Sequence, residues 1–180
     1  IDIGGGTTDI LVHYDGGIMH SAAIPQAGKN LTFDISHRFK TTIEQAEELK
    51  KKYGISKTAL ATNEKIIIKG VKGRESVEIS QKDLAEVIEP RMIEILTKSL
   101  EQIKKSNVAH KLNFGVVITG GGSQLKNLID LSQEIFNMPV KIGFPEIIDS
   151  EVSQYKNNPR YATAFGIVQY ASSCKADDFT

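Results

Sequence analysis

Two glycine clusters carry the residue types best suited to chemistry in this sequence. They are Asp2-Ile3-Gly4-Gly5-Gly6-Thr7-Thr8-Asp9 and Gly120-Gly121-Gly122-Ser123. Glycine lets backbone N–H groups approach a phosphate closely because no Cβ intervenes, and the threonine hydroxyls of the first cluster add donors. The second cluster precedes a predicted helix, whose N-terminal N–H groups favour an anion. Neither cluster is a P-loop, since no Gly-Lys-Ser/Thr follows, but both are typical of loops that contact phosphates.

The carboxylates that flank the first cluster suggest a metal. A carboxylate beside a phosphate is repelled unless a cation lies between them, so we predict that Asp2 binds Mg²⁺ or orients a water, with the metal keeping most of its waters. The simpler interpretation is that the glycines only form turns. Two clusters, one of them flanked by aspartate and threonine, favour a binding site.

The elements that must position these loops follow from the apolar pattern. We predict strands over 1–3, 10–14 and 18–24, helices over 31–39 and 43–53, a hairpin of 65–69 with 76–79, and a long helix that begins at Ser80 and breaks or kinks at Pro90. Further on we predict a strand over 114–119, a helix over 124–136, a strand over 140–142 and a helix over 161–171, whose small residues would allow close packing on a sheet. This order predicts an α/β fold with a mixed sheet and flanking helices, into which residues 31–79 are inserted.

Composition excludes several classes of function. The 22 basic and 22 acidic side chains cancel, which argues against sequence-independent nucleic-acid binding. No apolar run approaches the roughly 20 residues that span a bilayer. The single cysteine, Cys174, cannot form an internal disulfide, and the four histidines have no metal-ligand spacing.

The glycine clusters also resemble known motifs. The first resembles the second phosphate motif, and the second the adenosine motif, of the superfamily that contains actin, sugar kinases and heat-shock chaperone ATPases. Ala162-Thr163-Ala164-Phe165-Gly166-Ile167 takes the place of that superfamily's second connecting helix. Three stretches make nearly the whole chain similar to the FtsA cell-division family: Ile24-Pro25-Gln26-Ala27-Gly28, Glu86-Val87-Ile88-Glu89-Pro90-Arg91 and Tyr161-Ala162-Thr163-Ala164.

The resemblance implies a division of the chain. It implies an actin-like ATPase (ribonuclease-H-like) fold, in which residues 1–30 and 80–172 form the large lower subdomain. Residues 31–79 would form the small inserted α+β subdomain, and 173–180 a disordered tail. It also implies that Glu47 and Lys50 hold the ribose and the adenine. By their pattern alone these two residues belong to an ordinary solvated helix face.

The implied cofactors are ATP and Mg²⁺, and no catalytic residue is predicted. The predicted nucleotide site consists of Gly4, Gly5, Gly6, Thr7, Thr8, Glu47, Lys50, Gly120, Gly121, Gly122 and Ser123, with Asp2 at the metal.

A partner site is implied at Arg91. In the FtsA family this region faces the groove where the C-terminal tail of FtsZ docks, and an exposed arginine can anchor an acidic peptide by bidentate contacts. The alternative interpretation of Arg91 is a solvated helix charge.

The expected function is that of the nucleotide-binding half of a bacterial cell-division protein. Such a protein binds ATP, polymerises and tethers FtsZ to the cytoplasmic face of the cell membrane at the division septum. Because the chain starts at Ile1 inside a predicted strand, we expect it to be cut from a longer protein and to turn over ATP weakly or not at all. Residues 172–180 show no amphipathic apolar face, so we expect no lipid binding by this segment. The alternatives are a sugar or acetate kinase, an MreB-type or pilus-assembly actin homologue, and a binding module without nucleotide.

Overall fold

The helices and strands come in the predicted order. The computed structural model describes residues 1–70, 73, 75–112, 114–146 and 154–173. The strands are β1 (Asp2–Ile3), β2 (Thr8–Tyr14), β3 (Gly17–Ile24), β4 (Lys65–Ile68), β5 (Val77–Ser80), β6 (Val116–Ile118) and β7 (Val140–Ile142). The α-helices are α1 (Gly28–Phe39), α2 (Ile43–Tyr53), α3 (Gln81–Lys104), α4 (Leu128–Phe136) and α5 (Ala162–Ser173).

A mixed sheet forms the centre of the fold. Strands β1, β2 and β3 pair antiparallel, and β6 pairs with β7 in parallel. The N–H of Ile3 donates to the carbonyl of Thr119 over 2.9 Å, which joins β1 to the residue after β6. The strand order is therefore β3-β2-β1-β6-β7, and the predicted α/β fold with a mixed sheet is confirmed. Asp15 and Gly16, both at positive φ, close the β2–β3 hairpin as the Asp-Gly pair predicts.

One face of the sheet is buried under helices. Along β2 the side chains of Thr8, Ile10 and Val12 point into the core, and the residues between them are exposed. Helix α3 packs on β2 and β3, and α1 and α4 pack against α3. On the opposite face Leu11 is 55% exposed and Val117 is 44% exposed. The core therefore lies on one side of the sheet.

Helix α5 does not pack as the small residues in it predict. None of its residues is buried, and a Cβ built on Gly166 meets nothing within 4 Å. The expectation of close packing on the sheet is wrong for the residues described. Its N-terminus touches β1 through Thr163, whose hydroxyl donates to Asp2 Oδ2 over 2.5 Å.

The longest helix begins as predicted but is not broken by proline. Ser80 and Asp83 form a reciprocal capping box at the start of α3. The helix continues through Pro90. Proline has no backbone N–H, so the carbonyl of Glu86 loses its helical hydrogen bond. Both Pro90 and Glu86 are exposed. Water can satisfy that carbonyl, while the buried side chains hold the helix together.

The helix after the second glycine cluster starts later than predicted. Residues Gly121–Gln124 form a 3-10 turn, Leu125 is extended, and Asn127 has a left-handed backbone just before α4 begins at Leu128. The predicted helix N-terminus beside the glycines is therefore wrong.

The predicted inserted segment shares its core with the rest of the chain. Ile66 of β4 and Ile35 of α1 belong to the same buried cluster as Ile3 of β1. The division into 1–30 with 80–172 and 31–79 stays a prediction. Of the predicted tail, residues 174–180 lie outside the described residues. In the described ranges, no helix has both the length and the apolar character needed to cross a bilayer.

Candidate nucleotide-binding site

The first glycine loop presents backbone donors to solvent. The N–H of Gly4 donates to the carbonyl of Thr7 over 3.0 Å, which closes the loop. Gly5 and Gly6 are exposed, and within the described residues their N–H groups donate to no backbone carbonyl. Two adjacent free N–H groups in a tight loop form a site that suits an anion.

The two threonines of this loop differ. Thr7 is exposed, and its hydroxyl donates to Asp9 Oδ2 over 3.0 Å. Thr8 is fully buried, and its hydroxyl donates to the carbonyl of Gln26 over 2.8 Å. The hydroxyl that the loop offers to solvent is therefore that of Thr7. A ligand role for Thr8 stays a prediction, and its hydroxyl already has an acceptor.

Close packing against β1 accounts for two glycines of the second cluster. A Cβ on Gly120 would lie 2.1 Å from Asp2 Oδ1, and one on Gly122 would lie 2.4 Å from Ile3 Cγ2. Gly120 also has a φ of +83°, which side-chain-bearing residues rarely adopt. Because these two glycines have no side chain, the second glycine loop can pack directly against β1, which leads into the first glycine loop.

The other two residues of the second cluster have different surroundings. Gly121 is exposed, and a Cβ there would approach only Arg160 Cγ, at 3.9 Å. Ser123 is buried, and its hydroxyl donates to the carbonyl of Gly120 over 2.7 Å. Gly121 is therefore the member of this cluster that faces solvent, where a ligand can reach it.

The first loop lies on the first turn of α1. The N–H groups of Gly28 and Lys29 donate to the carbonyls of Gly4 and Gly5 over 3.1 and 2.8 Å. The loop carbonyls thus satisfy donors that a helix N-terminus otherwise leaves free. A Cβ on Gly28 would lie 3.2 Å from the carbonyl oxygen of Gly4, so glycine suits this contact.

Glu47 and Lys50 form a partly buried cluster next to that turn. Lys50 Nζ donates to the carbonyl of Gly28 over 2.9 Å, to Thr32 Oγ1 over 2.9 Å and to Glu47 Oε2 over 2.6 Å. All three of its N–H donors are therefore used. The Lys50 side chain is only 14% exposed, so the alternative interpretation, an ordinary solvated helix face, does not describe it.

The cluster keeps Glu47 ionised. Burial raises the pKa of Glu47, but hydrogen bonds from Lys50 and Thr32 together with the lysine charge outweigh it and lower that pKa below its usual value. The Thr32 hydroxyl lies 2.5 Å from Glu47 Oε2, while Oε1 lies 3.3 Å from the exposed Lys51. An ionised carboxylate only accepts hydrogen bonds, which suits the hydroxyls of a ribose.

Helix α2 also reaches the segment after the second glycine cluster. A Cβ on Gly54, at the end of α2, would lie 2.9 Å from Leu125 Cδ1. The N–H and the hydroxyl of Ser56 donate to the carbonyl of Lys126 over 3.0 and 2.8 Å. Both glycine clusters and the Glu47–Lys50 pair are thereby linked by direct contacts through β1, α1 and α2.

Asp2 and Asp9 meet the basic requirement of a magnesium site. They are direct partners across the β1–β2 pair, so their side chains share one face and their like charges repel. Mg²⁺ is usually held by one or two carboxylates together with phosphate oxygens and waters. The described residues contain no group of three or more His, Cys, Asp or Glu that could hold a metal by itself. These two carboxylates therefore fit a Mg²⁺ ion that phosphate and water also coordinate.

Arg91 is paired rather than free. Its Nε and Nη2 donate to the two carboxylate oxygens of Asp34 over 2.6 and 3.0 Å, and its Nη1 donates to Glu94. The Arg91 side chain is 26% exposed and its donors are used within the chain, so it is a partly buried, paired arginine, and its role as a partner site stays a prediction. Hydrogen bonds from Lys98 and Gln26, with the nearby charges, lower the pKa of Glu94 to about 2.

Comparison with known proteins identifies the family. The family model described as "Cell division protein FtsA" matches residues 1–166. This chain belongs to the FtsA family. FtsA of Pseudomonas aeruginosa is 37% identical over 178 residues, which are 98% of this chain and 42% of that protein. FtsA of Escherichia coli K12 is 35% identical over 178 residues, covering 94% of this chain and 42% of that protein. The chain therefore spans less than half the length of these FtsA relatives.

Solved structures agree on the fold. MreB 5 of Spiroplasma citri, crystallised with AMPPNP, superposes with a TM-score of 0.78 at 22% identity over 96% of this chain and 51% of that one. The PilM–PilN type IV pilus biogenesis complex gives a TM-score of 0.70 at 19% identity over 96% of this chain and 45% of that one. At this identity the likeness shows the actin-like fold alone. The FtsA family model and the FtsA relatives place the chain in this family rather than among MreB-type or pilus-assembly homologues.

Two residues of the FtsA chain were missed by sequence reasoning. Thr32 bridges Glu47 and Lys50, and Asp34 holds Arg91 from 57 positions away. Both lie on α1, in a stretch with no motif. The only sequence feature that could have indicated Thr32 is its position one helical turn after Gly28. Lys50 donates a hydrogen bond to the carbonyl of Gly28, and the Thr32 hydroxyl donates to the same carbonyl.

Proposed function

We propose that this chain is the nucleotide-binding half of an FtsA protein that binds ATP with Mg²⁺. In the whole protein it would polymerise and tether FtsZ to the inner face of the cell membrane at the division septum. One observation carries the nucleotide part: β1 lies between the two glycine loops, and the Glu47–Lys50 pair contacts the same helix turn as the first loop. The FtsA family membership supports the rest.

Each residue then has a separate role. The free N–H groups of Gly5 and Gly6 would contact phosphate oxygens, and Gly121 would lie against the adenosine. Glu47 would accept hydrogen bonds from the ribose hydroxyls, while Lys50 and Thr32 hold its carboxylate in place.

The metal would lie between the phosphates on one side and the carboxylates of Asp2 and Asp9 on the other. Mg²⁺ there would screen the two carboxylates from the phosphate charge. A nucleotide that binds one conformation of the protein more tightly than another increases the population of that conformation. In this way a bound nucleotide would change how readily the whole protein polymerises.

The nucleotide role is tested by titrating a fluorescent ATP analogue into the protein, with and without Mg²⁺. The chain is compared with a full-length FtsA protein that contains it. We expect Glu47→Gln to weaken binding about tenfold, because one charge-assisted hydrogen bond to a hydroxyl contributes about 1.5 kcal/mol or more.

The matched control is Glu48→Gln, which makes the same change at an exposed neighbour on α2. It should leave the affinity unchanged. Equal effects of the two substitutions, or Mg²⁺-independent binding at the same strength in the full-length protein, would contradict the proposed site.

The tethering role is tested with a labelled peptide from the C-terminal tail of FtsZ, measured by fluorescence anisotropy. Saturable binding that Arg91→Glu abolishes is the expected result. A folded chain that binds no peptide would leave the actin-like fold in place and remove the support for tethering.

A further inference from the structure

Two lysines lie beside the first glycine loop, and they differ in how their charge is used. All three N–H donors of the Lys50 ammonium are taken up by groups of the chain itself. Lys29 is exposed, and among the described residues its ammonium has no hydrogen-bond acceptor and no carboxylate within ion-pair distance. Lys29 is therefore the lysine whose charge is available to a ligand at this loop.

The backbone and the side chain of Lys29 both contact the loop. Its N–H donates to the carbonyl of Gly5 over 2.8 Å, which holds the first turn of α1 against the loop. Its Cε lies 3.9 Å from the position that a Cβ on Gly5 would take, so the side chain runs along this residue. The ammonium is one bond beyond Cε. A phosphate held by the N–H groups of Gly5 and Gly6 is therefore within reach of Lys29.

The position of Lys29 is electrostatically unfavourable without an anion. Lys29 is the second residue of α1, and the first turn of this helix contains no acidic residue. The N-terminal end of a helix carries a partial positive charge, which repels a lysine. The ammonium of Lys50 lies at the same turn, but the carboxylate of Glu47 balances its charge. Within the described ranges the charge of Lys29 has no counterion, and a phosphate would supply one.

We propose that Lys29 binds the phosphate chain of the nucleotide, together with the N–H groups of Gly5 and Gly6. The inference rests on the proposed nucleotide role and adds a charged side chain to the phosphate end of the site. Glu47 and Gly121 would contact the ribose and the adenosine, which carry no negative charge. Removing the charge of Lys29 therefore weakens the binding of ATP and leaves the binding of adenosine unchanged.

The experiment measures how well ATP and adenosine displace a fluorescent ATP analogue from a full-length FtsA protein that contains this chain. We expect Lys29→Gln to weaken the binding of ATP about tenfold, because one charge-assisted hydrogen bond to phosphate is lost. The affinity for adenosine should be the same in the wild type and the variant. The ATP affinity of Lys29→Gln should also depend less on salt concentration, since one ionic contact is missing.

Three comparisons separate phosphate binding from other effects. Lys29→Arg keeps the charge and should retain most of the ATP affinity. Lys82→Gln is the matched control, because Lys82 is also exposed and is also the second residue of its helix, α3. Urea unfolding without nucleotide should find Lys29→Gln as stable as the wild type or more stable, since the repulsion by the helix end is removed. A purely structural role for Lys29 predicts a loss of stability instead.

Each outcome decides for or against the role of Lys29. A selective loss of ATP affinity in Lys29→Gln, restored in Lys29→Arg and without a loss of stability, supports it. Equal ATP affinity of the wild type and Lys29→Gln, an equal loss in Lys82→Gln, or an equal loss for adenosine overturns it and leaves the nucleotide site standing. Absence of ATP binding by the folded wild-type protein overturns the nucleotide site and the role of Lys29 together.

Discussion

The three glycines of the second loop do not have the same task. Gly120 and Gly122 sit where β1 leaves no room for a side chain, while Gly121 faces solvent with space around it. The second glycine cluster is continuous in the sequence, but in the structure two of its glycines pack against β1 and the third is exposed. Substitutions at neighbouring positions can test the two parts separately.

Gly122→Ala should destabilise the chain by about 1–3 kcal/mol, because its Cβ would lie 2.4 Å from Ile3 Cγ2 and the strand must shift. Urea unfolding followed by circular dichroism measures the loss. Gly121→Ala, whose Cβ meets only Arg160 Cγ at 3.9 Å, is the control and should change stability by less than ~0.5 kcal/mol. Equal losses at both positions would contradict the packing of β1 against this loop.

Glu94 links α3 to the segment before α1, and its contribution should depend on pH. The pKa of Glu94 is lowered from 4.5 to about 2 in the folded chain. A lowered carboxyl pKa stabilises the folded state above the unfolded pKa, and this stabilisation is lost as pH falls from about 4.5 towards 2. Because the side chain is 36% exposed, solvent screening keeps the contribution below ~1 kcal/mol.

The measurement is urea unfolding of the wild type and Glu94→Gln at pH 7, 5 and 3. The variant should be less stable at pH 7, and the difference should shrink as the pH is lowered. Glu101→Gln, at an exposed site on the same helix, should show no such trend. A difference that grows towards low pH would show that Glu94 is not held ionised in this way.

At the scale of elements, α3 is the helix on which the rest is assembled. It packs on β2 and β3 and receives α1 and α4. Its start is encoded locally, since Ser80 and Asp83 cap it within four residues, and α2 is likewise capped by Thr42. Such ends can be predicted because the hydrogen bonds that make them are local.

Other ends depend on contacts that are distant in the sequence. Helix α1 begins at Gly28, earlier than its apolar pattern indicates, because Gly28 and Lys29 donate to Gly4 and Gly5. The late start of α4 follows from the backbone of Leu125 and Asn127, and Leu125 packs beside Gly54. Sequence patterns cannot show these ends, since the deciding partner lies in another element.

Pro90→Ala should stabilise the chain by about 1–3 kcal/mol, because alanine restores the hydrogen bond to the carbonyl of Glu86 and removes the ring clash. Pro90 is exposed, so little packing is lost. Thermal and urea unfolding give the change. Thr97→Ala, also exposed on α3, is the control and should gain only about 0.5 kcal/mol from helix propensity. A destabilising Pro90→Ala would mean that α3 requires the local geometry that proline imposes.

At the scale of the whole molecule, the mixed sheet could be predicted but the candidate site could be predicted only in part. The glycine loops are visible in the sequence, and strand order brings them to the two sides of β1. The local sequence pattern does not indicate that Glu47 and Lys50 bind a ligand, and this role is predicted only from the resemblance to the FtsA family. Asp34 and Arg91 meet only after α1 has folded onto α3, which no local pattern of side chains reveals.

The isolation of α5 has a consequence for how this chain melts. Ile167, Val168 and Tyr170 are each at least 64% exposed, so the helix gains little from tertiary packing. A helix of 12 residues is marginal in water when only its own hydrogen bonds support it. Its amide protons should therefore exchange with solvent long before those of α3, through local opening that leaves the core intact. On heating, the part of the helical circular dichroism signal that α5 contributes would be lost gradually, before the rest of the chain unfolds in one cooperative transition.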